Sequence, residues 1–190
     1  MNKGEVHIRD VFFDFFSIHH KMIFGKMYFR LYNPSEDCIA KNYTLDDWNK
    51  IFTQITEEDL RSLNECVNVV ILLWCDSLTD MAHGMLYLQE SYPIPGEISF
   101  HGGTWDHNPV FFKEIFRSLS SMFLYLFQYC SKITTTCGIK NKQADKFQRG
   151  FGFIETYVDQ NTSYKHLNRE LFEKTIIAKR FKSNIRQKRK

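Results

Sequence analysis

No C-x-x-C pair occurs anywhere in this 190-residue chain, and its five cysteines are an odd number. A zinc ribbon is therefore not expected. Cys66, Cys75 and Cys130, all set in apolar runs, read as buried thiols of a reducing compartment. Long apolar runs are also missing. The longest clean one, "VVILLWC" at residues 69–75, is far too short to cross a bilayer. The first ten residues, "MNKGEVHIRD", lack the apolar stretch of a signal peptide. These absences lead us to expect a cytoplasmic protein with no membrane contact. Glycine is scarce where an anion-binding loop would need it. After the strand-like "GEISFH", only Gly102 and Gly103 stand before an Asn-Pro pair and an apolar helix pattern. Acids are missing from the last twelve residues, "KRFKSNIRQKRK", which hold seven Lys or Arg. Without that tail, 18 basic residues (25 less those seven) face 22 acidic ones. The body is mildly acidic and the end strongly basic.

What is present suits one globular domain. Hydrophobic residues make up 43% of the chain, enough for a sizeable core. Eighteen Phe, nine Tyr and three Trp predict a bulky one. Residues 5–16, "EVHIRDVFFDFF", read as a strand or as an apolar helix, and periodicity does not decide between them. "KMYFRLYN" predicts a strand ended by Asn33-Pro34. Thr44 with Asp47 resembles a capping box opening a helix "LDDWNKIF", and Thr56 precedes a second helix, "EEDLRSLNE". "NVVILLWCD" (68–76) reads as a strand buried on both faces, hairpinned to "MAHGMLYLQE" (81–90). "GEISFHGG" (96–103) is the next strand. The longest helix then follows over 108–130, with Asn108 as N-cap and Pro109 at the first helical position. "KITTTCGI" (132–139) is a strand, 141–152 a short helix closed by glycine, and "FIETYV" (153–158) a last core strand. "LFEKTIIAKRF" reads as a strand or a helix. This order predicts a mixed α/β (α+β) fold with a partly antiparallel sheet and a central strand–helix–strand crossover between parallel neighbours.

From about residue 65 to 160 the order and spacing resemble the GNAT acyltransferases. In that family a hairpin leads to a fourth strand. A helix follows whose N-terminus grips the pyrophosphate of acyl-CoA. A fifth strand, a helix opened by Asn, and a Gly-Phe pair before the sixth strand complete the pattern. Here Asn141, Ala144, Phe147 and Gly152-Phe153 match that spacing. The chain is also similar to phage-encoded GNAT-like proteins in its "GEISFH" before a Pro-bearing loop. The resemblance implies a GNAT-like domain over residues 1–178, acetyl-CoA as co-substrate and an amine as acceptor. The implied acyl-CoA contacts are Phe100, Gly102, Asn108, Val110, Phe111, Phe112, Asn141 and Phe147. Two departures stand out. The family's pyrophosphate loop carries glycines where this chain has "DHNPVFFKE". Many members also place a Tyr seven residues after the Asn to protonate the leaving thiolate, and here that residue is Gln148.

Each candidate has a structural alternative. His101, at the end of the fourth strand, is placed to deprotonate an amine, or it bonds across a splayed strand. Glu97 is a base acting through water, or a solvent-facing strand residue. Asn141 is a ligand contact, an N-cap, or both. Trp105, Asp106 and His107 form a loop that covers a ligand or anchors itself. The pair His19-His20 with His7 suggests a metal, but adjacent histidines of a strand face opposite ways and no carboxylate or cysteine suits, so none is expected. Phe112, Ile115, Phe116, Leu119, Met122, Phe123 and Leu126 form a core stripe. The basic end, Lys179–Lys190, is a solvated tail or a contact for nucleic acid or an acidic protein surface. Two functions follow. One is an acetyl-CoA-dependent N-acyltransferase with His101 or Glu97 as base. The other is a non-catalytic GNAT-like structural or binding protein, such as a phage virion component. If the gene is phage-borne, the location is the host cytoplasm or the virion.

Overall fold

The computed structural model describes residues 7–37, 55–91, 96–104 and 109–175. The chain begins with helix α1 (Ile8–His19), then strands β1 (Met22–Phe24) and β2 (Met27–Leu31). Helix α2 (Glu57–Glu65) precedes the hairpin β3 (Val69–Asp76) and β4 (Ala82–Glu90). Strand β5 (Glu97–Thr104), helix α3 (Pro109–Leu126) and strand β6 (Lys132–Gly138) come next. Helix α4 (Lys142–Gly150), strands β7 (Ile154–Val158) and β8 (Thr162–Asn168), and helix α5 (Arg169–Lys174) complete it. The strand order is β1-β2-β3-β4-β5-β6-β8-β7. The fold class is mixed α+β, with a mostly antiparallel sheet, as the order of elements predicts. The chain divides into two compact units, residues 1–90 with 101–114, and residues 91–100 with 115–190.

In the first unit, the ambiguous segment 8–19 is a helix. Ile8, Phe12 and Phe16 are buried while Asp10 and Asp14 between them are exposed; a strand would put all five on one face, and a helix separates them. Helix α1 packs on β2 and β3, and its first turn is fixed by Glu90, whose carboxylate accepts from His7 Nδ1 at 3.0 Å and from the Ile8 N–H. Thr56 forms a capping box with Asp59 at the start of α2, which satisfies two donors that the helix leaves free. All eight residues of β3 are buried. Tyr28, Leu60, Val69, Ile71, Leu73 and Met85 share one core cluster. Asp37, fully buried, takes a bidentate pair from Arg30 at 2.6 and 2.7 Å and a bond from the Asn33 N–H at 2.9 Å. The helix expected over "LDDWNKIF" and its capping box lie outside the described residues.

The second unit is built around Phe123. Its ring stands edge-on to Phe100 at 5.2 Å, Phe151 at 5.2 Å, Phe153 at 5.8 Å and Phe172 at 6.0 Å. Each such pair adds about 0.5–1.5 kcal/mol beyond its buried area. Of the expected helix stripe, Ile115, Leu119, Met122, Phe123 and Leu126 are buried. Phe116 is half-buried and stacks on Phe151 at 4.9 Å. Strands β5 and β6 pair parallel, as expected, through Glu97↔Lys132, Ile98↔Ile133 and Ser99↔Thr134 at their amino ends.

Two expectations are corrected. Cys66, expected to be a buried thiol, is exposed. In "FIETYV" only Phe153 is core; the strand itself, β7, is neither last nor core, because all five of its residues are exposed and β8 follows it. Strand β8 lies between β6 and β7, antiparallel to both. It buries Ser163, Lys165 and Leu167 on one face. Gly152 closes the turn after α4 with φ +92°, and an added Cβ would meet Thr175 Cγ2 at 2.7 Å and the Leu171 carbonyl at 3.0 Å. Only glycine fits there without strain.

Candidate functional site

The segment 101–114 carries the densest set of expected functional residues, and it lies within the first unit. Strand β5 delivers His101 near its carboxyl end, the end of an open sheet where ligands bind. The imidazole is half-buried and its ring lies 5.9 Å from the Tyr87 ring of β4, tilted by 48°. Burial holds its pKa below the ordinary histidine value, because the charged form loses its water. The ring is therefore neutral at neutral pH and keeps one nitrogen lone pair free to accept a proton. Tyr87 donates to Gln89 Oε1 at 3.0 Å, and burial raises its pKa, so it stays a phenol. Gly102, next in the strand, is exposed. Helix α3 opens at Pro109, at the position whose N–H a helix does not use. Val110, Phe111 and Phe112 are in its first turn, where a helix leaves the N–H groups of its first residues, here Val110 and Phe111, without an intrahelical partner and its dipole favours an anion. Asn108, Trp105, Asp106 and His107 lie outside the described residues.

Glu97 stands at the other end of β5. Residues 97 and 101 alternate onto the same face but are about 13 Å apart, at roughly 3.3 Å per residue. The Glu97 carboxylate is mostly buried and ion-paired with the Lys132 ammonium of β6. Phe100 faces the core against Phe123.

The remaining expected residues belong to the second unit. Asn141 is the N-cap of α4, its Oδ1 accepting from the Ala144 N–H at 3.0 Å. Phe147 packs between Phe116 and Phe151, each at 5.1 Å. Gln148, in the place of the family's Tyr, is buried and its amide is committed. Nε2 donates to Thr135 Oγ1 at 3.2 Å and to the Thr136 carbonyl at 3.1 Å. Oε1 accepts from Lys165 Nζ at 2.9 Å. Lys165 is 1% exposed. It also donates to Cys137 Sγ at 2.9 Å and pairs with Asp145 at 3.1 Å. Sequence reasoning missed this cluster. Its signal was a lysine at the centre of the alternation Ser163, Lys165, Leu167, an inward row that a charge enters only with partners.

Comparison with known proteins places the fold. No protein-family model matches the sequence, and no curated protein matches it. Solved structures do match. The nucleotide-linked sugar GNAT FdhC, in its apo form, superposes with a TM-score of 0.63 at 12% identity, covering 85% of this chain and 97% of that one. An uncharacterized protein from Bacillus halodurans gives 0.63 at 13% identity, over 83% of this chain and 91% of that one. Spermidine N-acetyltransferase from Vibrio cholerae, in complex with CoA and spermine, gives 0.56 at 14% identity, over 77% and 98%. The fold is that of the GNAT acetyltransferases, and at this identity the likeness establishes the fold alone.

Proposed function

We propose that the chain is an acyl-CoA-dependent N-acetyltransferase in which His101 is the base. The observation that carries this reading is the half-buried imidazole near the carboxyl end of β5, held toward its neutral form by burial and packed on Tyr87. Acetyl-CoA would supply the thioester. Within the segment Asn108 to Phe112, the N–H groups that the helix leaves without a partner would hold its pyrophosphate, Pro109 supplying none, and backbone N–H groups near Phe100 to Gly102 would meet the oxyanion. The absence of glycine at 110–112 leaves this grip to the helix dipole and the free N–H groups of the first turn. His101 takes the proton of an incoming amine, so that its lone pair can attack the carbonyl. Glu97, tied to Lys132 at the amino end of the strand, is the weaker candidate base. The proposed acyl-CoA contacts of Asn141 and Phe147 rest on their spacing alone. Thiolate departure falls to water or another residue, since Gln148 has both ends of its amide engaged. Relatives of this fold that act on amines, such as the spermidine enzyme, support an amine acceptor.

A second reading is a non-catalytic GNAT-like module, with the basic end 179–190 contacting nucleic acid or an acidic protein. The commitment of Gln148 to a buried network favours it. Acetyl-CoA separates the two readings. An enzyme should melt at a higher temperature with acetyl-CoA, gaining about 2.7 kcal/mol at a hundred times Kd. An unchanged melting temperature at millimolar acetyl-CoA overturns the enzyme reading.

A further inference from the structure

The four described cysteines differ in what meets the sulfur, and Cys75 takes a bond from the Arg30 guanidinium. Cys66 is exposed and its thiol donates to the Ser62 carbonyl at 3.4 Å. Cys75 and Cys130 are buried, and burial pushes their thiols up to about 11 and about 12. Cys137 differs. It lies near the carboxyl end of β6, and Lys165 Nζ of β8 sits 2.9 Å from its sulfur. The register offsets them by one inward step, since Cys137 pairs with Ser163 and Thr135 with Lys165. The ammonium has two further acceptors, Gln148 Oε1 at 2.9 Å and Asp145 Oδ1 at 3.1 Å. Cys137 as a residue keeps 8% exposure, so it is not sealed in the core. A buried sulfur in contact with a held amine, beside a half-exposed carboxylate that links the amine to solvent, is a reaction geometry rather than a packing contact.

We propose that Cys137 and Lys165 close a reversible sulfur–nitrogen crosslink under hydrogen peroxide. Peroxide transfers one oxygen to the Cys137 sulfur as its O–O bond breaks, giving a sulfenic acid and one water. Lys165 gives up a proton to solvent by way of Asp145, whose side chain is 35% exposed, and becomes a neutral amine while Asp145 remains a carboxylate. Its lone pair then attacks the sulfenyl sulfur. The S–O bond breaks as the S–N bond forms, and the departing hydroxide leaves as a second water with a proton from the nitrogen. Beyond the proton given to solvent, the thiol and the neutral amine lose two hydrogens, with one peroxide reduced to two waters. A thiol reductant reverses it by attacking the sulfur and releasing the amine. Closure replaces the buried cation with an uncharged nitrogen, so that Asp145 keeps only its pair with Arg149. The crosslink stands apart from the acyl-transfer reading and survives its failure.

The test uses the full chain treated with hydrogen peroxide and digested with trypsin. A crosslinked Lys165 resists cleavage, so peptide 133–140 should appear joined to peptide 150–169, lighter than their sum by two hydrogens. Dithiothreitol should separate them. Lys165→Arg keeps a cation but not the primary amine. Its Cys137 should stop at the sulfenic acid and be captured by a 1,3-dione probe that does not label the wild type. If Lys165→Arg does not fold, the wild-type digest decides alone. Joined peptides that dithiothreitol releases support the crosslink. Peroxide treatment that leaves both peptides free, or oxidises Cys137 without joining it to Lys165, overturns it.

Discussion

Lys165→Met removes the buried ammonium while keeping the length of the side chain. The loss can be worked contact by contact. Gln148 Oε1 is left as a buried acceptor with no partner, at about 1–3 kcal/mol. Asp145 loses one cation but keeps Arg149 at 2.9–3.0 Å, and its side chain is 35% exposed. Water therefore screens its charge, and the lost pair adds about 0–1 kcal/mol. Cys137 is a weak acceptor and adds little. Removing one partner of a fully buried pair costs about 3–5 kcal/mol because the other charge is trapped. Here the remaining carboxylate is not trapped, so that upper range does not apply. The expected loss is about 1–4 kcal/mol, read as a lower urea midpoint at unchanged m-value. For a chain of this size that is a Tm lower by roughly 2–16 °C. A variant as stable as wild type would refute the reasoning, since Gln148 would then have no need of the ammonium. A loss above about 5 kcal/mol would refute it in the other direction, by showing that the Asp145 charge is sealed from water.

Gly152→Ala should cost about 2 kcal/mol or more, because φ is +92° and the new methyl meets the Leu171 carbonyl at 3.0 Å. Gly138→Ala, where the nearest atom is the Asn161 carbonyl at 3.8 Å, should change the urea midpoint little. His101 has a depressed folded pKa, so the unfolded chain binds its proton first as pH falls through about 6.5. Its contribution is present above that pH and is lost as pH falls toward the folded value. His101→Gln should flatten the wild-type decline in stability over that window, and an unchanged decline would show that His101 is not its source. Removing residues 179–190 should abolish any binding to duplex DNA, whose log–log salt slope should be about −4 to −6 for four to seven phosphate contacts. DNA binding that ignores salt would rule out the electrostatic mechanism.

The central architecture was legible because it is written in apolar pattern and caps. A buried run at 69–76, a Pro-opened helix at 109 and an Asn-opened helix at 142 are local signals, and each element formed where it was expected. Strand β8 was not legible. Its inward row is serine, lysine and leucine, so the polar members hid the alternation that marks a strand. The reverse error arose at 154–158, whose Ile, Tyr and Val suggested core. At the sheet edge these same residues are exposed, and exposure there depends on neighbours that no local pattern names. His101 could be chosen from its place near a strand end, but its contact with Tyr87 depends on how β4 lies beside it. The role of Gln148 was half legible. Its chemistry excludes an acid, and only the fold reveals that Lys165 occupies its carbonyl.

The proposed amine acetylation with His101 as the base is tested most directly by CoA release from acetyl-CoA. Wild type and His101→Ala would be compared over a panel of polyamines, amino sugars and peptide amines. The expected result is amine-dependent CoA release by the wild type, slowed about 10²-fold or more in the variant. Equal rates in the two proteins, or no amine-dependent release by the wild type with any acceptor, would contradict it.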